Sequence, residues 1–211
     1  MRSIVIATAV AAVVASTATA DLINPVAPTW RGEANSQYFE WNAFSEPTFA
    51  PNDPSTATNG DADLSNFATG AFIGSNGEIH SDGGLDLLVR GFTPGAFTEA
   101  VVHVTYITFD PQPNVSLFGL GDIWNGITVQ PNDVQQVFSE PWGRGESRVT
   151  ERYTFDLSGY TGPDTDWRFY FDIDGPNTLE GVSVDVRGVV PSPGVLATLA
   201  LAGFARRRRR G

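Results

Sequence analysis

Short stretches in which apolar and polar residues alternate dominate the middle of the chain. Residues 148–157 set Val149, Tyr153, Phe155 and Leu157 against Arg148, Thr150, Arg152, Thr154 and Asp156, with Glu151 the one exception. A period of two puts one face of a strand on a core and the other in water. Residues 167–173 place Trp167, Phe169, Phe171 and Ile173 on one face, and residues 182–187 do the same with Val182, Val184 and Val186. Residues 100–109 are mostly β-branched or aromatic and predict a strand buried on both faces. Weaker strand patterns cover 85–90, 37–44, 70–72 and 127–130.

Turn chemistry separates these runs: Asn76-Gly77, Asp82-Gly83-Gly84, Thr93-Pro94-Gly95, Asp110-Pro111, Asn125-Gly126, Ser158-Gly159 and Asp174-Gly175-Pro176. Residues 46–66 hold few apolar side chains and read as a long surface loop. No run of helical period and no solenoid or propeller repeat is found. About eight to ten short strands joined by Gly, Pro, Asn and Asp predict an all-β fold, an antiparallel β-sandwich of jelly-roll type, over residues 21–189.

The two ends follow another logic. Residues 1–20 carry Arg2, an apolar run over 4–15 and a terminal Ala18-Thr19-Ala20, the pattern of a secretory signal cut between Ala20 and Asp21. This run of 12 residues, Thr8 its one polar member, reaches about 18 Å as a helix against about 30 Å of hydrocarbon, too short for a permanent span. Residues 190–211 hold Pro191, Ser192, Pro193 and Gly194, then an apolar segment over 195–205, then Arg206, Arg207, Arg208, Arg209 and Arg210. Arginines behind a short hydrophobic helix resist translocation and form a stop-transfer signal that leaves the preceding domain outside. That tail resembles the PEP-CTERM sorting signal of Gram-negative bacteria, in a relaxed form with Ser192 where the family's motif has glutamate. The resemblance covers about a tenth of the chain. It implies an exosortase-like membrane enzyme as partner after signal peptidase, transient membrane insertion through the tail, and a host that makes extracellular polysaccharide. Residues 29–32 and 38–41 also resemble the openings of secreted PEP-CTERM proteins, and residues 179–186 the closing strand of carbohydrate-binding jelly rolls.

Composition sharpens this picture. The net charge of −11 hides a division: all 13 basic residues are arginine, and only seven lie between Asp21 and Val190, with all 24 acidic residues. The body therefore carries about −17 and should repel nucleic acid. Absence of cysteine excludes disulfides, a thiolate nucleophile and cysteine-ligated zinc or iron–sulfur centres.

Candidate chemistry is sparse. His80 and His103 are accompanied by no nucleophile elbow, zinc-protease motif or phosphate loop, and His103 reads as a satisfied sheet residue. A triad assembled only in space stays open. Carboxylate pairs abound, among them Asp61/Asp63, Asp82/Asp86, Asp164/Asp166 and Asp172/Asp174, and glycosidase chemistry would need two of them facing a cleft. Asp172 and Asp174, with Gly175 and Asn177, place oxygen donors around a turn as calcium requires, without the spacing of an EF-hand. Trp124 and Trp142 lie beside turns and are candidates for stacking on sugar rings, whereas Trp167 belongs to the core face. Arg144 and Arg148, near Trp142, could hold an anionic glycan or neutralise an acidic surface.

These readings converge on an exported, non-enzymatic β-sandwich protein of the cell surface or extracellular matrix, needing no cofactor, whose unprocessed form is anchored in the inner membrane. A calcium-dependent glycan-binding module and a secreted carbohydrate-active enzyme are the alternatives.

Overall fold

A computed structural model of the chain describes residues 21–92, 97–109, 115–120, 129–158 and 166–188. Ala20, Trp124, the Pro191–Gly194 motif and Arg206–Arg210 lie outside the described residues. The described chain forms β1 (Ser36–Trp41), β2 (Thr56–Thr58), β3 (Ala62–Asn66), β4 (Phe72–Ile73), β5 (Ile79–Ser81), β6 (Leu85–Phe92), β7 (Phe97–Thr108), β8 (Val115–Leu120), β9 (Asp133–Trp142), β10 (Glu146–Asp156), β11 (Asp166–Ile173) and β12 (Asn177–Gly188). Every strand pairing is antiparallel.

One sheet runs β2-β1-β12-β7-β10-β9, with β5 beside the first residues of β12 and β4 beside β5; the other runs β3-β6-β11-β8. The strands alternate as the sequence predicts, and their apolar faces meet between the sheets in a β-sandwich-like all-β architecture. Phe39 and Trp41 of β1, Val182, Val184 and Val186 of β12, Val102 and Val104 of β7, and Phe155 of β10 enter from the larger sheet. Leu64, Leu87, Val89, Trp167, Phe169 and Phe171 enter from the smaller one. Aromatic rings bridge the layers: Phe39 to Trp167 at 5.6 Å and Phe155 to Phe169 at 5.3 Å between centroids.

The central strands β7 and β12 are buried on both faces. A strap formed by residues 22–31 crosses the outer face of the larger sheet. Its Leu22 and Trp30 are buried, Leu22 lying so close to Gly181 that a Cβ there would sit 2.9 Å from the Leu22 nitrogen. The predicted doubly buried character holds over residues 100–108, Phe109 beyond the strand end being exposed, and has a specific source: Val102 and Val104 face the core, while Val101, His103 and Thr105 lie on the covered outer face.

Two expectations are corrected. Residues 46–66 are not one loop. Thr56–Thr58 extends the larger sheet and Ala62–Asn66 the smaller one, because Leu64, fully buried, anchors β3 on Val89. The strand expected at 127–130 is absent at Val129 and Gln130, the part that falls within the described residues; the strand of this region is β9. Its sequence DVQQVFSEPW is too polar for a period-two reading because it is the outer strand of the ordered sheet, and such a position also accommodates Pro141, which cannot donate to a ladder. Glu151, the polar exception in the alternation of β10, keeps the inward position that the period of two assigns it, beside a register irregularity in the pairing with β9.

Gly91 lies opposite Trp167, and a Cβ there would stand 2.2 Å from the indole Cζ2. Gly91→Ala should therefore displace the largest ring of the core and cost about 1–3 kcal/mol of stability. The mutant's urea midpoint should fall with an unchanged slope.

Candidate functional site

The hairpin joining β9 to β10 carries the most exposed of the described tryptophans. Trp142 pairs with Glu146, and the intervening turn needs left-handed backbone at Arg144 (φ 66°) and Gly145 (φ 89°). Trp142 is 42% exposed, as a sugar-stacking residue would have to be, but the Arg148 guanidinium lies 4.4 Å over its ring. Arg148 Nη2 donates to Glu180 Oε1 at 2.7 Å, and Nη1 lies 3.5 Å from Glu140. Burial opposes the charge on Arg148, but its bonds to Glu180 and Glu140 outweigh it and hold the guanidinium more firmly protonated than in water. Arg148 is thus a clamp across β12, β10 and β9, already committed to two carboxylates. Of the arginine pair suggested by the sequence, Arg144 is the member that lies on the surface.

His80 occupies the same outer face. Phe72 stacks on it at 5.1 Å, Nδ1 meets Thr178 Oγ1 at 2.8 Å and Nε2 meets Glu78 at 3.1 Å. His103 is the satisfied sheet residue that the sequence suggested. Its Nε2 accepts the Val26 backbone N–H at 3.2 Å, and Nδ1 lies 3.4 Å from Ser183 Oγ. Burial first, then the charges of Arg31 and Arg152, lower its pKa to about 4, so the ring is neutral at pH 7. Around it the strap is pinned by Ile23 N–H to Thr105 Oγ1 (3.2 Å) and by a bidentate pair from Arg31 to Asp185, both bonds 2.6 Å. Asp185 is fully buried, and burial pushes its carboxyl up against the pull of Arg31.

Glu151 is a second buried carboxyl. It accepts a hydrogen bond from Tyr153, and burial raises its pKa against the opposing hydroxyls of Tyr153 and Tyr106. Both tyrosines belong to the core, so this group has no open approach.

At the β11–β12 turn, Asp172 and Asp174 are both exposed. Burial, then Asp86 across the strand pair, then Asp174 raise the pKa of Asp172. Asn177 is buried instead, its Nδ2 donating to the carbonyls of Gly175 (2.8 Å) and Ile173 (3.3 Å) to close the turn. Among the described residues no group of three or more His, Asp or Glu side chains is placed to hold a metal ion. No helix among them is long and apolar enough to cross a membrane.

A groove of about 580 Å³ runs along one flank of the sandwich, between the 51–63 segment and strands β6 and β11. Asp63, Arg90 and Arg168 stand opposite one another on β3, β6 and β11, and Arg90 Nε donates to both Asp63 oxygens at 3.0 and 2.8 Å. Phe92, 52% exposed, lines the same groove. The sequence marked Asp61/Asp63 only as one acidic pair among many. Their meeting with Arg90 and Phe92 depends on β3, which the polar composition of residues 46–66 concealed.

No protein-family model matches the chain, and no curated protein matches it.

The buried, neutral His103 makes stability depend on pH. Its folded pKa of about 4 lies below the ordinary 6.5, so between these values the unfolded chain binds more protons. The contribution is complete above about pH 6.5 and is lost as pH falls toward 4, at most roughly 3 kcal/mol. Raised carboxyls such as Asp185 and Glu151 act in the opposite direction. Comparing His103→Gln with the parent chain isolates the histidine: urea unfolding at pH 7 and pH 4.5 should show a smaller loss on acidification in the variant.

Proposed function

We propose that the protein is an exported, non-enzymatic β-sandwich protein of the cell surface or extracellular matrix, delivered by an N-terminal signal and sorted through its C-terminal tail by an exosortase-type enzyme. The observation that carries this reading is how close the buried and strand-paired residues run to both proposed boundaries. Leu22 is already buried on the sheet, two residues beyond the expected cleavage point after Ala20, and β12 runs to Gly188, just short of the tail motif. Cleavage at these two points would keep every described core residue in the mature chain. The acidic body, at about −17, would stay soluble and repel polyanions outside the cell.

The strand order supports the jelly-roll form of the sandwich. Along the chain, β1, β6, β7 and β8 alternate between the sheets, as do β10, β11 and β12, giving β1-β12-β7-β10 facing β6-β11-β8. The strand β9 departs from that scheme by pairing with β10 in the larger sheet.

Mass spectrometry of protein recovered from the native host tests the reading. The mature chain should begin at Asp21 and lack Arg206–Arg210; an intact tail on protein in the medium overturns the processing step. Replacing all five arginines with serine should release or mislocalise the protein, and unchanged localisation by fractionation counts against stop-transfer.

A further inference from the structure

We propose that the flank groove is a binding site for a neutral carbohydrate chain. It goes beyond the export reading and does not depend on it. The groove's volume of about 580 Å³ falls within the roughly 300–1,000 Å³ of small-ligand sites. Its lining joins two kinds of surface. Phe92, Pro51 and Pro54 offer flat apolar faces suited to the C–H face of a pyranose, and Phe92 is left half-exposed there. Beside them, Arg90 Nε shares its hydrogen between the two Asp63 oxygens and holds the guanidinium against the carboxylate. A guanidinium next to a carboxylate presents donors and acceptors side by side, the pattern that adjacent sugar hydroxyls match. The Arg90 side chain keeps 55% of its surface in solvent while holding this pair.

Charge selects among carbohydrates. Asp53, Asp61 and Asp63 outnumber Arg90 and Arg168 along the lining, and the body as a whole is strongly acidic. Uronate or sulfated polymers are repelled, which leaves neutral sugars.

The wall behind the groove is built for close approach. Gly60 and Gly91 both line it, with Gln37 directly behind the first and Trp167 behind the second. Gln37 Nε2 donates to the carbonyls of Asn59 (2.6 Å) and Phe92 (2.9 Å), tying the two sides of the groove together. Gln37 Oε1 and Trp167 Nε1 are buried without hydrogen-bond partners. Neither atom is exposed and neither residue is part of the lining, so both belong to the wall behind the groove and not to its ligand-facing surface. Trp167 also provides a reporter, since its indole lies against Gly91.

The test uses the full chain in native affinity electrophoresis against soluble mixed-linkage glucan, galactomannan and galactan as neutral probes, and polygalacturonate as the anionic one. At least one neutral polymer should retard the protein and shift its tryptophan emission. Phe92→Ala and Arg90→Ala, both at exposed positions, should each weaken that retardation about tenfold with thermal midpoints near the parent value. Trp142→Ala, on the hairpin, should bind like the parent. The proposal is overturned if no neutral polymer retards the chain, if folded Phe92→Ala and Arg90→Ala bind as the parent does, if polygalacturonate binds best, or if Trp142→Ala alone abolishes binding. These outcomes leave the route of export untouched, so failure here and failure of processing are distinguishable.

Discussion

Polar groups on the outer face of β7 and β12 must find partners without water, and much of this sandwich follows from that constraint. His103, Thr105, Ser183 and Asp185 are buried on that face. A buried polar group left unpaired costs about 1–3 kcal/mol, and more if charged. The strap meets this demand with its own backbone N–H groups and with Arg31, while Thr105 and Thr150 bond each other at 2.9 Å. The larger sheet thus has two interfaces of opposite character. Toward the smaller sheet it packs aromatic and branched side chains; toward the strap it forms a hydrogen-bonded layer. The neutrality of His103 is part of the second interface, because a protonated ring could not accept from Val26 and would face Arg31 and Arg152.

The sequence disclosed the parts of the fold where one face is dry and the other wet. Strands β10, β11 and β12 alternate cleanly, and their apolar residues are the core. It disclosed least where partners come from afar. Nothing local in Gly181 indicates that Leu22 rests on it, and the polar run 46–66 hides β3 because one leucine, fully buried, is all that the strand contributes to the core. The strand β9 was illegible because the outer strand of a sheet needs few apolar residues. Glu151 was recognisable as an exception, and the period of two that carries Val149 and Tyr153 inward carries it inward as well; what the pattern could not show is that Tyr153 meets it there.

Candidate functional residues divide in the same way. Arg148 near Trp142 looked like an anion-binding group in one dimension, yet Glu140 and Glu180 meet it from neighbouring strands. Arg90 drew no attention in sequence, although it shares a cross-strand row with Asp63 and Arg168 beside an exposed phenylalanine. With 24 acidic residues and seven arginines in the body, most arginines are spoken for, and what separates a clamp from a recognition group is how much of the guanidinium remains in solvent: 16% for the Arg148 side chain against 55% for Arg90.

The position of β12 has a mechanical consequence. It is the last strand of the described chain, and it lies inside the sheet, between β7 on one edge and β1 and β5 on the other. At its end the Gly188 N–H donates to the Asn35 carbonyl at 2.9 Å. Any tether attached through the C-terminal segment therefore pulls on a strand held along both sides. A force along the strand loads both hydrogen-bond ladders in shear, so many bonds share it at once, whereas an outer strand could be peeled away one bond at a time. A domain hung from this strand would resist extraction by drag or flow, even though no disulfide braces it.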